Sequence, residues 1–163
     1  MDPLLPYRDL LDWTAAETVH WRDWLAARPE AGTVRLATGR LATVADVAAH
    51  IAVVDLRYAQ RLRGMPVVGF DAFAGAPMST VFGAATQAHV LFAGWLDQAT
   101  PAELDGELTF QTLSAGTLTA TARTVLMHAL LHGARHWAQI ATALRQHGLT
   151  QDWRHDYLMH RRR

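Results

Sequence analysis

No cysteine occurs among the 163 residues, which excludes a disulfide framework, a thiolate metal site and a cysteine nucleophile. Any thiol in the chemistry must come from outside the chain. Lysine and asparagine are absent too, so all fifteen Lys-or-Arg positions are arginine. That usage reads as a coding bias toward alanine and arginine and by itself assigns no function. An excess of charge of either sign is also missing, since fifteen acidic residues balance the fifteen arginines. A neutral chain lacks the electrostatic footprint of a nucleic-acid binder, and Arg161, Arg162 and Arg163 read as a short solvated tail. No apolar run approaches the length of a bilayer span. Met1-Asp-Pro-Leu-Leu-Pro has neither the charged start nor the apolar core of a signal peptide. The expectation is a cytoplasmic protein with no nucleic-acid and no membrane partner.

The length suits a single domain over residues 1–163, large enough to bury a core without a structural metal, so a metal here would serve function. Helical periodicity dominates. Residues 6–27 place Leu10, Trp13, Glu17, Trp21 and Trp24 on one face, with Glu17 and His20 as polar members of the inward stripe and Pro29 and Gly32 ending the run. Thr43 followed by Asp46 resembles a capping box opening a second helix over 44–63, whose buried side carries Val44, Val47, Ala48, Ile51, Val54 and Tyr58. His50 lies between Val47 and Val54 and faces the core or its margin. Residues 64–79 form a connection whose Val67, Val68, Phe70 and Phe73 should pack over the helices. Its sixteen residues, at roughly 3.3 Å each, can span the ~30 Å of a helix and let the third helix run parallel to the second.

Ser79 or Thr80 is the expected cap of that third helix, which runs to about Gln98 with Phe82, Ala85, His89, Phe92 and Leu96 in its stripe. His89 is there a core residue or a second candidate ligand. A long link follows, with alternation over 107–119 that suggests a small hairpin around Ser114 to Gly116. The fourth helix covers about 121–146, apolar on nearly all sides, and Trp153, Tyr157 and Leu158 can fold back as a helical turn.

That fourth helix carries His128, His132 and His136 at steps of four residues, about one turn each. Imidazoles on adjacent turns can converge on one divalent ion, the mechanical reason His-x-x-x-His on a helix recurs in zinc sites. With nine histidines in the chain, a chance pair is the competing reading. A third ligand from another helix would decide, and His50 is the candidate.

Thr43-Val-Ala-Asp-Val-Ala-Ala-His50-Ile and Leu131-His132-Gly-Ala-Arg-His136-Trp-Ala-Gln139-Ile140, continuing to Gly148, resemble the DinB/YfiT-like superfamily of metal-binding four-helix bundles. The resemblance covers nearly the whole chain. It implies an all-α, up-down-down-up four-helix bundle, often a homodimer, holding zinc, nickel or a similar divalent ion through His50, His132 and His136. Three neutral imidazoles would leave coordination positions open and the ion's full charge in place, which lowers the pKa of bound water toward about 7 and favours an anionic ligand such as a thiolate.

Departures from the family pattern bear on mechanism. Many relatives carry glutamate directly after the first histidine, the general base of a His-Glu-x-x-His hydrolase; here that residue is Gly133. Where relatives carry Arg-Gly after the second histidine, this chain has Trp137-Ala138, so Trp137 is expected to wall the site. Asp46, His128, Glu17 and Gln139 are the further pocket or supporting candidates. Three functions follow: thiol-dependent S-transfer onto a small electrophile with a low-molecular-weight thiol as cosubstrate, metal-dependent hydrolysis as the alternative, and a non-enzymatic metal-binding stress protein.

Overall fold

In the computed structural model, which describes residues 4–113 and 115–160, four long helices carry the molecule. The N-terminal Met1 to Pro3, the Ser114 of the expected hairpin turn and the basic tail Arg161 to Arg163 lie outside the described residues. Helix α1 (Leu5–Ala26) has Pro6 in its first turn, where a missing N–H costs nothing, and gives way to a 3-10 turn at Pro29–Thr33. Helix α2 (Val44–Leu62) opens on the expected capping box, in which Asp46 accepts from the Thr43 N–H and hydroxyl while the Thr43 hydroxyl accepts from the Asp46 N–H. Helix α3 (Met78–Leu96) follows the crossing segment. Neither Ser79 nor Thr80 caps it: Pro77 is at the N-cap and both hydroxyl residues sit inside the first turn, because Pro77 is extended and already hands its carbonyl to Thr80 and Val81.

The long link after α3 holds a short helix α4 (Pro101–Asp105), opened by a second capping box of Thr100 and Glu103. Strands β1 (Glu107–Thr112) and β2 (Gly116–Thr121) then pair antiparallel from Glu107 opposite Thr121 to Thr112 opposite Gly116, the expected hairpin. Gly116 has φ of 67°, a conformation open to glycine at little cost. Helix α5 (Ala122–Gln146) starts on a Thr121 cap, and a final turn, α6 (Tyr157–His160), closes the described chain.

Direction is fixed by end-to-end contacts. Arg63, just past α2, donates to the Gly94 carbonyl and the Gln98 side chain at the end of α3, at 3.1 and 3.2 Å, so α2 and α3 run parallel. Arg8 at the start of α1 pairs with Asp97 just past α3, so α1 runs the other way. Tyr58 meets His128 while His50, a little over two turns earlier in α2, meets His136, so α5 is antiparallel to α2. The bundle is thus up-down-down-up. One apolar cluster draws on all four long helices, with Trp21, Ile51, Phe92, Leu126 and Ile140 among its fully enclosed members. Of the crossing segment, Val68 and Phe73 pack against that cluster, whereas Val67 is exposed. Among the described residues no helix is long and apolar enough to cross a membrane.

Candidate metal centre

The antiparallel pairing of α2 with α5 brings His50, His132 and His136 together, with one ligand-capable atom from each within 4.8 Å of the others. His132 and His136 are buried and His50 partly so. The Nε2 atoms of His50 and His132 are 3.1 Å apart. That suits a hydrogen bond between the rings, and it also lies near the separation of about 3.3 Å between two nitrogens each about 2.05 Å from a tetrahedral ion.

Protonation favours ligation. Burial, followed by the neighbouring His136, pushes His50 down to about 4; burial, together with His136 and His50, pushes His132 down to about 2. Burial lowers His136 as well, against a hydrogen bond to Gln139 that raises it. All three rings are neutral near pH 7, the state in which imidazole ligates metals. His136 has a defined tautomer. Its Nδ1–H donates to Gln139 Oε1 at 2.7 Å, and Arg135 Nη2 donates to its Nε2 at 3.3 Å, so both partners place the lone pair on Nε2. His132 Nδ1 is buried with no partner, and its Nε2 faces His50. Three neutral nitrogen donors with this spacing, one of them oriented by an amide, fit a divalent transition metal of borderline softness.

The remaining sequence candidates divide. His128 lines the same cavity, edge-on to Tyr58 and with its ring 5.6 Å from that of His132, outside the three-ring cluster. Gln139 orients His136. Asp46 is engaged in the α2 cap. Glu17 belongs to another part of the molecule: its carboxylate accepts from Trp153 Nε1 at 2.7 Å and His155 Nδ1 at 3.0 Å, so α1 ties down the C-terminal tail and leaves the histidines alone. Trp137 does not wall the site either. One residue on from His136 it is turned about 100° around the helix, where it stacks on Trp21 at 5.1 Å and on Phe82 at 6.2 Å. His89 lines a separate cavity of about 320 Å³ on that far side of α5 and is pushed down to about 4 by burial.

Two features escaped the sequence reading. Asp55 is 6 % exposed, its Oδ1 has no hydrogen-bond partner, and burial holds its carboxyl well above the usual range. The signal was present, because position 55 continues the Ala48–Ile51 stripe. The second is the arginine content of the histidine cavity, a space of about 450 Å³ into which Arg40, Arg57, Arg61 and Arg135 all project and whose lining has no Asp or Glu. Positions 57 and 61 repeat the His50 face at i+7 and i+11, a register the sequence displays.

No curated protein matches the chain. The model of the family described as the DinB family matches residues 2–161, almost the whole length, and the chain belongs to that family.

Proposed function

With DinB membership as the premise, we propose that the protein is a metal-dependent enzyme acting on small molecules, with His50, His132 and His136 as the ligands and thiol-dependent S-transfer as the reaction. Zinc or nickel is the ion in this reading. The observation that carries it is the convergence of three neutral imidazoles at the floor of a cavity that has no carboxylate in its lining. An ion held there supplies Lewis acidity and lowers the pKa of a thiol or a water. The chain's own residues divide the remaining work. Gln139 holds the His136 ring in its Nε2 lone-pair form, and Phe70, Leu113 and Tyr58 line the space in which an electrophile would sit. Hydrolysis needs a base for water, and the lining provides no carboxylate for that role, which leaves it to His128, the lining histidine outside the proposed ligand set. A thiol, being far more acidic than water, loses its proton to solvent near neutral pH once stabilised as thiolate. The new C–S bond forms as the electrophile's leaving group, chloride for example, departs with its electron pair.

The test uses protein purified without a histidine tag. It is expected to carry metal in stoichiometric amount, to lose it in His132→Ala, and to consume mycothiol, bacillithiol or glutathione in the presence of a chloro-aromatic or an epoxide. Metal-loaded protein that consumes none of these thiols removes S-transfer. If that protein cleaves esters or amides, hydrolysis takes its place; metal without any turnover leaves a binding protein. Protein that purifies metal-free and takes up no added zinc, with stability lost in His132→Ala, would make the three histidines core residues.

A further inference from the structure

We propose that the cavity over the three histidines selects a small organic carboxylate, recognised by Arg57, Arg61 and Arg135. The inference names the substrate class of the site discussed above and rests on that site being one of small-molecule binding.

Charge balance is the first observation. Across the chain acids and bases cancel, yet the lining of this cavity has four guanidiniums and no carboxylate, Asp46 and Asp71 facing an adjoining pocket that shares His50 and Arg40 with it. Arg40 is offset by Asp71 at 3.1 Å. Among the described residues, Arg57, Arg61 and Arg135 have no acidic partner. A guanidinium stays charged in any protein environment, so these three present fixed positive charge to the cavity, Arg57 from a buried position, Arg61 from a partly buried one and Arg135 from an exposed one.

Burial is the second. Arg57 is 8 % exposed; it lies 3.6 Å over the Phe70 ring and donates to the Val68 carbonyl. Arg61 is partly buried, 5.5 Å over Tyr58 and 4.9 Å over Phe110, with a 3.4 Å contact to the Gln111 carbonyl. These rings and carbonyls hold the two forks in place without neutralising them. Each guanidinium has five N–H donors, and one backbone carbonyl leaves most of them for a ligand. A desolvated cation lacking a counter-ion is unfavourable, and an entering carboxylate removes the penalty through charge-assisted, bidentate hydrogen bonds.

Placement is the third. Arg57 is seven residues from His50 on the same face of α2, about 10 Å along the axis, and Arg61 is one turn further. Arg135 is at the opposite end, within 3.3 Å of His136 Nε2. A ligand with its reacting atom at the histidines and a carboxylate directed along α2 meets both ends. Two molecules could bring that group: the thiol cosubstrate, or the electrophile it attacks.

The experiment is calorimetric titration of metal-free and zinc-loaded protein with matched charged and neutral probes. Phenylacetate against phenylacetamide represents the electrophile; glutathione against its diethyl ester represents the thiol. The carboxylate member of at least one pair should bind about tenfold more tightly or better, in metal-free protein as well. Arg61→Gln should erase the preference while zinc content stays the same. Arg57→Gln should act likewise, and because it can also loosen the crossing segment, the more accessible Arg61 carries the decision. The pair that shows the preference identifies the source. Equal binding within both pairs, or a preference that survives Arg61→Gln, overturns the inference. The two readings fail separately: carboxylate binding that depends on Arg61 without thiol consumption retains this site and removes S-transfer, whereas S-transfer indifferent to substrate charge does the reverse.

Discussion

Asp55 of α2 fills the space beside Gly133 of α5: a β-carbon on Gly133 would stand 3.8 Å from Asp55 Oδ2 and 3.6 Å from Ile51 Cγ2. The position directly after His132 therefore points at α2 and the core. Gly133 lines the cavity on the far side of α5, together with Asp55, and has no part in the histidine cavity.

Both contacts are ordinary van der Waals distances, and Gly133 has no left-handed backbone to preserve. Gly133→Ala is expected to stabilise the protein by about 0.5–1 kcal/mol through helix propensity, read from chemical denaturation. Gly133→Glu, which adds a second carboxyl beside a buried one, is expected to lower Tm and to confer no hydrolysis. A destabilised alanine variant would show the two helices packed more closely than described.

The far cavity contains two groups whose pH effects oppose each other. Asp55 has a raised pKa, so the unfolded chain gives up its proton first, and stability falls as pH rises from the ordinary carboxylate range toward the raised value. His89 is lowered from 6.5 to about 4, so its contribution is complete above 6.5 and is lost as pH falls through that window. Asp55→Asn should therefore gain stability relative to the parent as pH is raised, and His89→Gln should flatten the loss between pH 6.5 and 4. Parallel stability curves for parent and variants would refute both assignments.

Gln139 orients a proposed ligand without belonging to the set. Gln139→Ala is expected to weaken zinc binding about 10- to 100-fold, the usual cost of losing such a partner, measured by chelator competition, with helix content unchanged. Gln139→Glu, which keeps the acceptor, should restore most of the affinity. An alanine variant that binds zinc as the parent does would remove the orienting role.

Glu17, with its side chain 7 % exposed, is the anchor of the C-terminal tail. Glu17→Ala leaves the Trp153 and His155 donors unmatched and should cost about 1–3 kcal/mol. It should also expose the segment around Trp153 to protease while leaving metal content intact. Loss of metal in this variant would contradict the separation of Glu17 from the histidines.

Much of the architecture was legible because helical periodicity and capping are local properties. The α2 box of Thr43 and Asp46 and the hairpin spacing could be read directly from the residues. The roles of Glu17 and Trp137 could not, since they depend on rotation within the bundle. Trp137 follows a site histidine in sequence and faces away from it in space, toward Trp21 and Phe82. Asp55 is hidden for the opposite reason: it is a single acid in a stripe otherwise apolar, and its burial depends on how α5 packs against α2. The arginine wall combines α2, the connector before it and α5, a grouping that emerges only once the chain is folded.

His50 and His132 are 82 residues apart in sequence, and the parallel α2–α3 pair means that the helices between them cannot zip up as a simple hairpin. The three-ring cluster thus exists only when nearly the whole chain has found its place, and the loop closure it requires is among the slow, non-local events of folding. An ion bound there would recognise the native state alone, so added zinc should raise the unfolding midpoint in proportion to the logarithm of its concentration. Metal supply would then govern how long the protein lasts in the cell as well as what it does.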